Sequence, residues 1–77
     1  MDVKVLGPGC ARCTQTEKIV TEVIAELGLT VAVEKVTDIQ AIARHGVFGT
    51  PAVVIDGKVK SVGKVPTREE VKSWIAA

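Results

Sequence analysis

The chain has 77 residues with a formal net charge of +1, and 47% of its residues are hydrophobic. This length allows one compact domain with one aliphatic core, and the composition excludes a disordered tail. Acidic and basic residues are interspersed without a basic block, which excludes nucleic acid as a partner. No apolar run is long enough to span a bilayer, and Gly7-Pro8-Gly9 interrupts the first apolar residues before a signal-peptide core could form. We therefore expect a cytoplasmic protein with no membrane partner.

The first third of the chain predicts a strand followed by a helix. Residues 2–6 alternate apolar and polar side chains and end at the Gly7-Pro8-Gly9 turn, which is typical of a short strand. Residues 11–27 predict an amphipathic helix, and Gly28 stands at the position of a C-terminal cap. The apolar residues at helical spacing are Ile19, Val20, Val23, Ile24 and Leu27.

The middle of the chain predicts a second strand and a short helix. Residues 29–36 are rich in β-branched side chains, and a strand after a helix favours a parallel β-α-β unit. Residues 37–40 have the spacing of a capping box on Thr37, which predicts a helix that Gly46 ends. His45 is interpreted as a residue at this helix end, and residues 47–50 as a loop.

The last third predicts a hairpin and a final helix. Pro51 opens an apolar strand over residues 52–55, and Asp56-Gly57 is a two-residue hairpin signal before residues 58–62. Residues 67–70 repeat the capping-box spacing and start a helix that turns three side chains inward, namely Val71, Trp74 and Ile75. The order βαβαββα predicts an α/β fold, a four-stranded mixed sheet flanked by three helices, with residues 1–77 as one domain.

The two cysteines, Cys10 and Cys13, stand at the start of the first predicted helix. A loop this short removes little entropy from the unfolded chain, so the pair is interpreted as catalytic or metal-binding. Unpaired N–H groups and the helix dipole favour the thiolate of Cys10, which makes it the candidate nucleophile. Cys13 lies one turn further on the same face and is the candidate resolving thiol. The pattern indicates disulfide exchange through a mixed disulfide.

Three further residues are candidates for the same site. Arg12 lies between the cysteines and either lowers the pKa of Cys10 or points into solvent. Thr50-Pro51 opens a strand after a loop, where a proline is either cis or an ordinary trans residue. If this loop lies beside the cysteines, the backbone of Thr50 can pair with an extended substrate segment.

Together, these motifs resemble the thioredoxin and glutaredoxin superfamily, and more closely its very small redox-active disulfide proteins from archaea and bacteria. The resemblance implies that Cys10 is the exposed attacking cysteine, Cys13 its buried partner and Pro51 a cis proline facing them. We expect a monomer without a cofactor, which exchanges electrons with disulfide-containing proteins and with a reductase. The segments that carry the resemblance are residues 3–7, 9–13, 36–39, 49–57 and 63–66.

The main alternative is a Cu(I) chaperone that holds the metal between the same two thiolates. Such domains resemble a β-α-β-β-α-β sandwich, whereas here the second helix is predicted before the final hairpin. Structural zinc needs four ligands, and beyond the cysteines only His45 and carboxylates remain, so no metal site is expected.

Overall fold

A computed structural model describes residues 1–9 and 11–76 of the chain. The element order agrees with the predicted βαβαββα order, and the sheet is four-stranded and mixed. The elements are β1 (Val3–Leu6), α1 (Ala11–Glu26), β2 (Val33–Val36), α2 (Ile39–Arg44), β3 (Ala52–Ile55), β4 (Lys58–Val62) and α3 (Arg68–Ala76).

The strands are arranged in the order β2-β1-β3-β4, with β1 and β3 in the centre. β1 pairs with β2 in parallel, and it pairs antiparallel with β3, so that Leu6 lies opposite Ala52. β3 and β4 form an antiparallel hairpin with an irregularity in the register between Val53 and Val54. As a result, the end of β1 and the beginning of β3 lie side by side at one edge of the sheet.

The helices cover both faces of the sheet. α1 and α3 pack on one face, against alternate side chains of β1 and β3 such as Val5 and Val53. α2 covers the opposite face, where Ile42 packs against Leu6 and Val54. All four residues of β3 are buried because this central strand is covered on both faces. In the part of the chain that the structure describes, no helix has the length and apolar character needed to cross a bilayer.

Helix α1 ends at Glu26, one residue earlier than expected. The glycine cap that follows it is the one that the sequence predicts. Gly28 has a φ of +68° and donates its N–H to Ala25 O at 3.1 Å, while Leu29 N donates to Ile24 O at 3.2 Å. This pattern is the Schellman motif, and it leaves Leu27 outside the helix and 38% exposed. Leu27 is therefore not one of the inward-facing helical residues.

Two further predicted boundaries were wrong. The second strand begins at Val33 rather than at Leu29, because its partner β1 begins at Val3, which is paired with Val33. The N-cap of α2 is Asp38 rather than Thr37, because the carboxylate of Asp38 accepts a hydrogen bond from Gln40 N at 3.1 Å. His45 is the C-cap of this helix, in agreement with its interpretation as a residue at the helix end.

The hairpin and the last helix begin as their local motifs predict. Asp56 and Gly57 both have positive φ, at +52° and +80°, which is the conformation of a type I′ turn. At the start of α3, Thr67 N donates to Glu70 Oε1 at 3.1 Å, and Glu70 N donates to Thr67 Oγ1 at 3.2 Å. These two hydrogen bonds form a complete capping box. Val71 and Ile75 are buried, and Trp74 is half-buried against the same core.

Candidate active site

The segment between β1 and α1 extends the central strand by one residue and then turns. Gly7 is buried, and its N–H donates to Val36 O at 2.9 Å, which continues the ladder between β1 and β2. Gly9 follows with a φ of +99°, a backbone conformation that favours glycine. Helix α1 begins at Ala11. The predicted nucleophile, Cys10, lies outside the described residues.

Cys13 lies in the first turn of α1 and is 1% exposed. It is disulfide-bonded. Its side chain packs directly against Gly7, where an added Cβ would overlap Cys13 Sγ and lie 2.9 Å from Cys13 Cβ. A residue without a side chain is therefore required at position 7 for the buried cysteine to occupy this place.

Thr50 and Pro51 lie at the same end of the sheet. A Cβ added to Gly7 would lie 3.9 Å from Thr50 Cβ, so Gly7 lies between Cys13 and Thr50. The cause is the sheet register, since Leu6 pairs with Ala52 and each central strand ends next to the other. The peptide bond between Thr50 and Pro51 is cis, and Pro51 is buried while Thr50 is half-buried.

Arg12 does not simply point into solvent. Its Nη2 donates a hydrogen bond to the carbonyl oxygen of Gly63 at 3.1 Å. The N–H of Gly63 in turn donates to Pro51 O at 2.9 Å. Gly63, the residue that follows β4, therefore contacts both the first turn of α1 and the proline segment.

The start of α1 is also favourable for an anionic sulfur. Within α1 as described, the first turn contains no acidic residue. The buried Thr16 satisfies its hydroxyl within the helix, because Thr16 Oγ1 donates to Arg12 O at 2.9 Å. The positive end of the helix dipole is thus not neutralised by a local carboxylate.

An apolar groove adjoins Thr50. It has a volume of about 250 Å³ and lies between α2 and the segments that flank the site. Phe48 is 90% exposed and Ile39 is 72% exposed, so two large apolar side chains of the same groove are open to solvent. The groove is lined by Pro8, Ile39, Ile42, Ala43, Val47, Phe48 and Thr50.

The structure thus brings together Arg12, Cys13, Thr50 and Pro51, four of the five residues singled out from the sequence, and does not describe the fifth. Sequence reasoning missed the contacts of Gly7 and Gly63 and the exposed position of Phe48 on the groove wall. For Phe48 a signal existed, since the chain's single Phe stands in a loop directly before Gly49 and Thr50. For the two glycines no local signal exists, because their contacts come from distant parts of the chain.

The Cu(I) alternative requires two thiolates, one of which, Cys10, lies outside the described residues. Among the residues that the structure describes, no group of three or more His, Cys, Asp or Glu side chains could hold a metal ion. The order of the elements also differs from the β-α-β-β-α-β order of the Cu(I) alternative.

A buried cysteine in the first turn of a helix, next to a cis proline on a four-stranded mixed sheet, defines the thioredoxin-like class of redox proteins. Residues 1–76 match the family model described as "Thioredoxin domain". The chain therefore belongs to the thioredoxin domain family, as its sequence motifs predicted, and it is in general terms a thiol–disulfide oxidoreductase.

Two relatives have similar sequences. One is a protein named "Thioredoxin" from Methanothermobacter thermautotrophicus, which is 35% identical over 76 residues that cover 99% of both chains. The other is a protein named "Thioredoxin" from Methanocaldococcus jannaschii. It is 40% identical over 70 residues, which cover 91% of this chain and 80% of the relative.

Proposed function

We propose that this protein reduces or exchanges protein disulfides through a dithiol and disulfide cycle of Cys10 and Cys13. The observation that carries the proposal is the environment of Cys13. This cysteine is buried and disulfide-bonded in the first turn of α1, across Gly7 from Thr50. Cys10 is the chain's other cysteine and precedes it by three residues, so it is the natural partner within the chain.

The reaction begins with the thiolate of Cys10, which attacks one sulfur of a substrate disulfide. A mixed disulfide forms, and the other substrate sulfur leaves as a thiolate that takes up a proton. The thiol of Cys13 then loses its proton and attacks the sulfur of Cys10. The internal disulfide forms, the second substrate thiol is released, and two electrons have passed from the protein to the substrate.

A substrate chain has a suitable surface beside the cysteines. The half-buried Thr50 can pair its backbone with an extended segment, as in strand addition. The adjoining groove, with the exposed Phe48 on its wall, offers an apolar contact for side chains that flank the disulfide. A protein disulfide, rather than a small molecule alone, is therefore the proposed substrate class.

The cycle needs a source of electrons for its next turn. Reduction of the internal disulfide requires two electrons, which a reductase would supply by exchange at the same sulfur atoms. A reducing compartment such as the cytoplasm fits this direction of electron flow, since it keeps exposed thiols reduced.

The test is insulin reduction, driven by dithiothreitol and followed by turbidity, with the parent and two single variants. We expect Cys10→Ser to reduce no disulfides above the rate of dithiothreitol alone. We expect Cys13→Ser to accumulate a mixed disulfide with the substrate, which is visible by mass spectrometry under non-reducing conditions. The double serine variant supplies the baseline. Undiminished insulin reduction by Cys10→Ser would exclude this mechanism.

A further inference from the structure

The contact of Arg12 with Gly63 joins parts of the chain that are 51 residues apart. Arg12 belongs to the first turn of α1, which also carries Cys13. Gly63 follows the last residue of β4 and has a φ of +75°. The hydrogen bond therefore links the redox turn with the end of the hairpin.

The same glycine also holds the proline segment. Its N–H donates to Pro51 O at 2.9 Å, while its carbonyl oxygen accepts from Arg12 at 3.1 Å. Lys64, the next residue, forms an ion pair with α3, in which Lys64 Nζ lies 2.9 Å from Glu70 Oε2. Gly63 is thus hydrogen-bonded on both sides, to the proline segment through its N–H and to the guanidinium through its carbonyl oxygen.

We propose that Arg12 is a positioning residue for the reaction with protein disulfides. Its guanidinium holds the first turn of α1 at a set distance from the backbone of Thr50 and Pro51. The inference rests on the proposed function, because that distance matters only when one substrate chain must contact both sides. An extended substrate needs its disulfide at the cysteines and its backbone at Thr50, whereas a small aromatic disulfide needs only the attacking sulfur.

A comparison of a protein disulfide with a small disulfide distinguishes a positioning role of Arg12 from a direct effect of its charge on the thiolate. An effect of the Arg12 charge on the pKa of a cysteine would change the rate with every disulfide, large or small. Loss of positioning raises KM for a protein disulfide and leaves the reaction with a small disulfide unchanged.

The experiment compares Arg12→Met with Lys18→Met, a control that removes the same charge from an exposed position of the same helix. For each protein we would measure KM and kcat with insulin, the second-order rate of the reduced form with 5,5′-dithiobis(2-nitrobenzoate), and the melting temperature. In Arg12→Met we expect KM for insulin to rise about three- to tenfold, with kcat and the small-disulfide rate within about twofold of the parent. The control should match the parent in every measurement.

Arg12→Lys provides the second comparison, since it keeps the charge but loses the planar fork. We expect its KM for insulin to lie between those of the parent and Arg12→Met. An unchanged KM in Arg12→Met would overturn the inference. So would an equal loss with both substrates that Arg12→Lys restores completely, because that result indicates an effect of charge on the thiolate. Failure of the proposed function itself would be seen separately, as a parent protein that reduces no disulfide.

Discussion

Gly7 lies against Cys13 so closely that no Cβ fits between them. A Cβ on Gly7 would overlap Cys13 Sγ and lie 2.9 Å from Cys13 Cβ. Gly7 is itself fixed by its hydrogen bond to Val36 O, so it cannot move away without breaking the β1 and β2 ladder. Gly7, which extends β1 by one residue, therefore determines where the side chain of Cys13 can lie.

We predict that Gly7→Ala destabilises the protein. The added methyl group must displace Cys13, and overpacking of this kind costs about 1 to 3 kcal/mol. Gly49→Ala is the matched control, because its Cβ would meet Val62 Cγ1 at 3.5 Å and Gly63 Cα at 3.7 Å, which are ordinary contacts. Urea unfolding of the oxidised proteins measures both changes. Equal stability of the two alanine variants would contradict the close packing at Gly7.

The second prediction concerns Phe48, whose side chain is 90% exposed on the wall of the apolar groove. Phe48→Ser should lower kcat/KM for insulin about fivefold or more, because an exposed aromatic residue at a binding surface contributes strongly to affinity. The melting temperature should change little, since the side chain is not part of the core. Val59→Ser, on β4 and 40% exposed, is the control and should keep full activity. A loss of activity equal in both variants would argue against a role for the groove.

The third prediction concerns Ser61, which is 7% exposed and whose hydroxyl has no hydrogen-bond partner among the described residues. An unpaired buried hydroxyl costs about 1 to 3 kcal/mol of desolvation, and its removal leaves only a small space. Ser61→Ala should therefore keep or increase the free energy of unfolding. The control is Ser73→Ala, which removes an exposed hydroxyl that donates to Glu70 O at 2.7 Å. A clear loss of stability in Ser61→Ala, measured by urea unfolding, would show that this hydroxyl has a partner.

The fourth prediction is a dependence of stability on pH. Lys64 and the backbone N–H of Thr67 hydrogen-bond the carboxylate of Glu70 and lower its pKa below the ordinary value of 4.5. A carboxyl group with a lowered pKa stabilises the folded protein above its unfolded pKa, and this stabilisation is lost as the pH falls through the folded pKa. Glu70→Gln should therefore melt at a lower temperature than the parent at neutral pH, and the two should converge in acid.

Because Glu70 is exposed, the effect is expected to be small and to weaken with added salt. Glu69→Gln changes the neighbouring residue in the first turn of α3 and provides the matched control. Thermal unfolding from neutral pH to about pH 2.5 covers the relevant window. A constant difference between Glu70→Gln and the parent across this range would contradict the assignment.

Features that depend on neighbouring residues were predictable from the sequence by itself. The capping box of Thr67 with Glu70 and the turn at Asp56 and Gly57 formed as expected, because each involves residues at most three positions apart. Cys13 at the start of a helix follows from the same local signals. Element order and fold class were predictable because they follow from the sequence of such local units.

The tertiary structure alone decided what surrounds the buried cysteine. The start of β2 was set by the length of β1, its partner in the sheet, and not by its own β-branched residues. Gly7 meets Thr50, and Arg12 meets Gly63, only because the sheet register brings segments more than 40 residues apart to one edge. Local preferences determine which elements form, whereas the contacts that build the site depend on how the strands align, and that alignment is fixed only when the whole core packs.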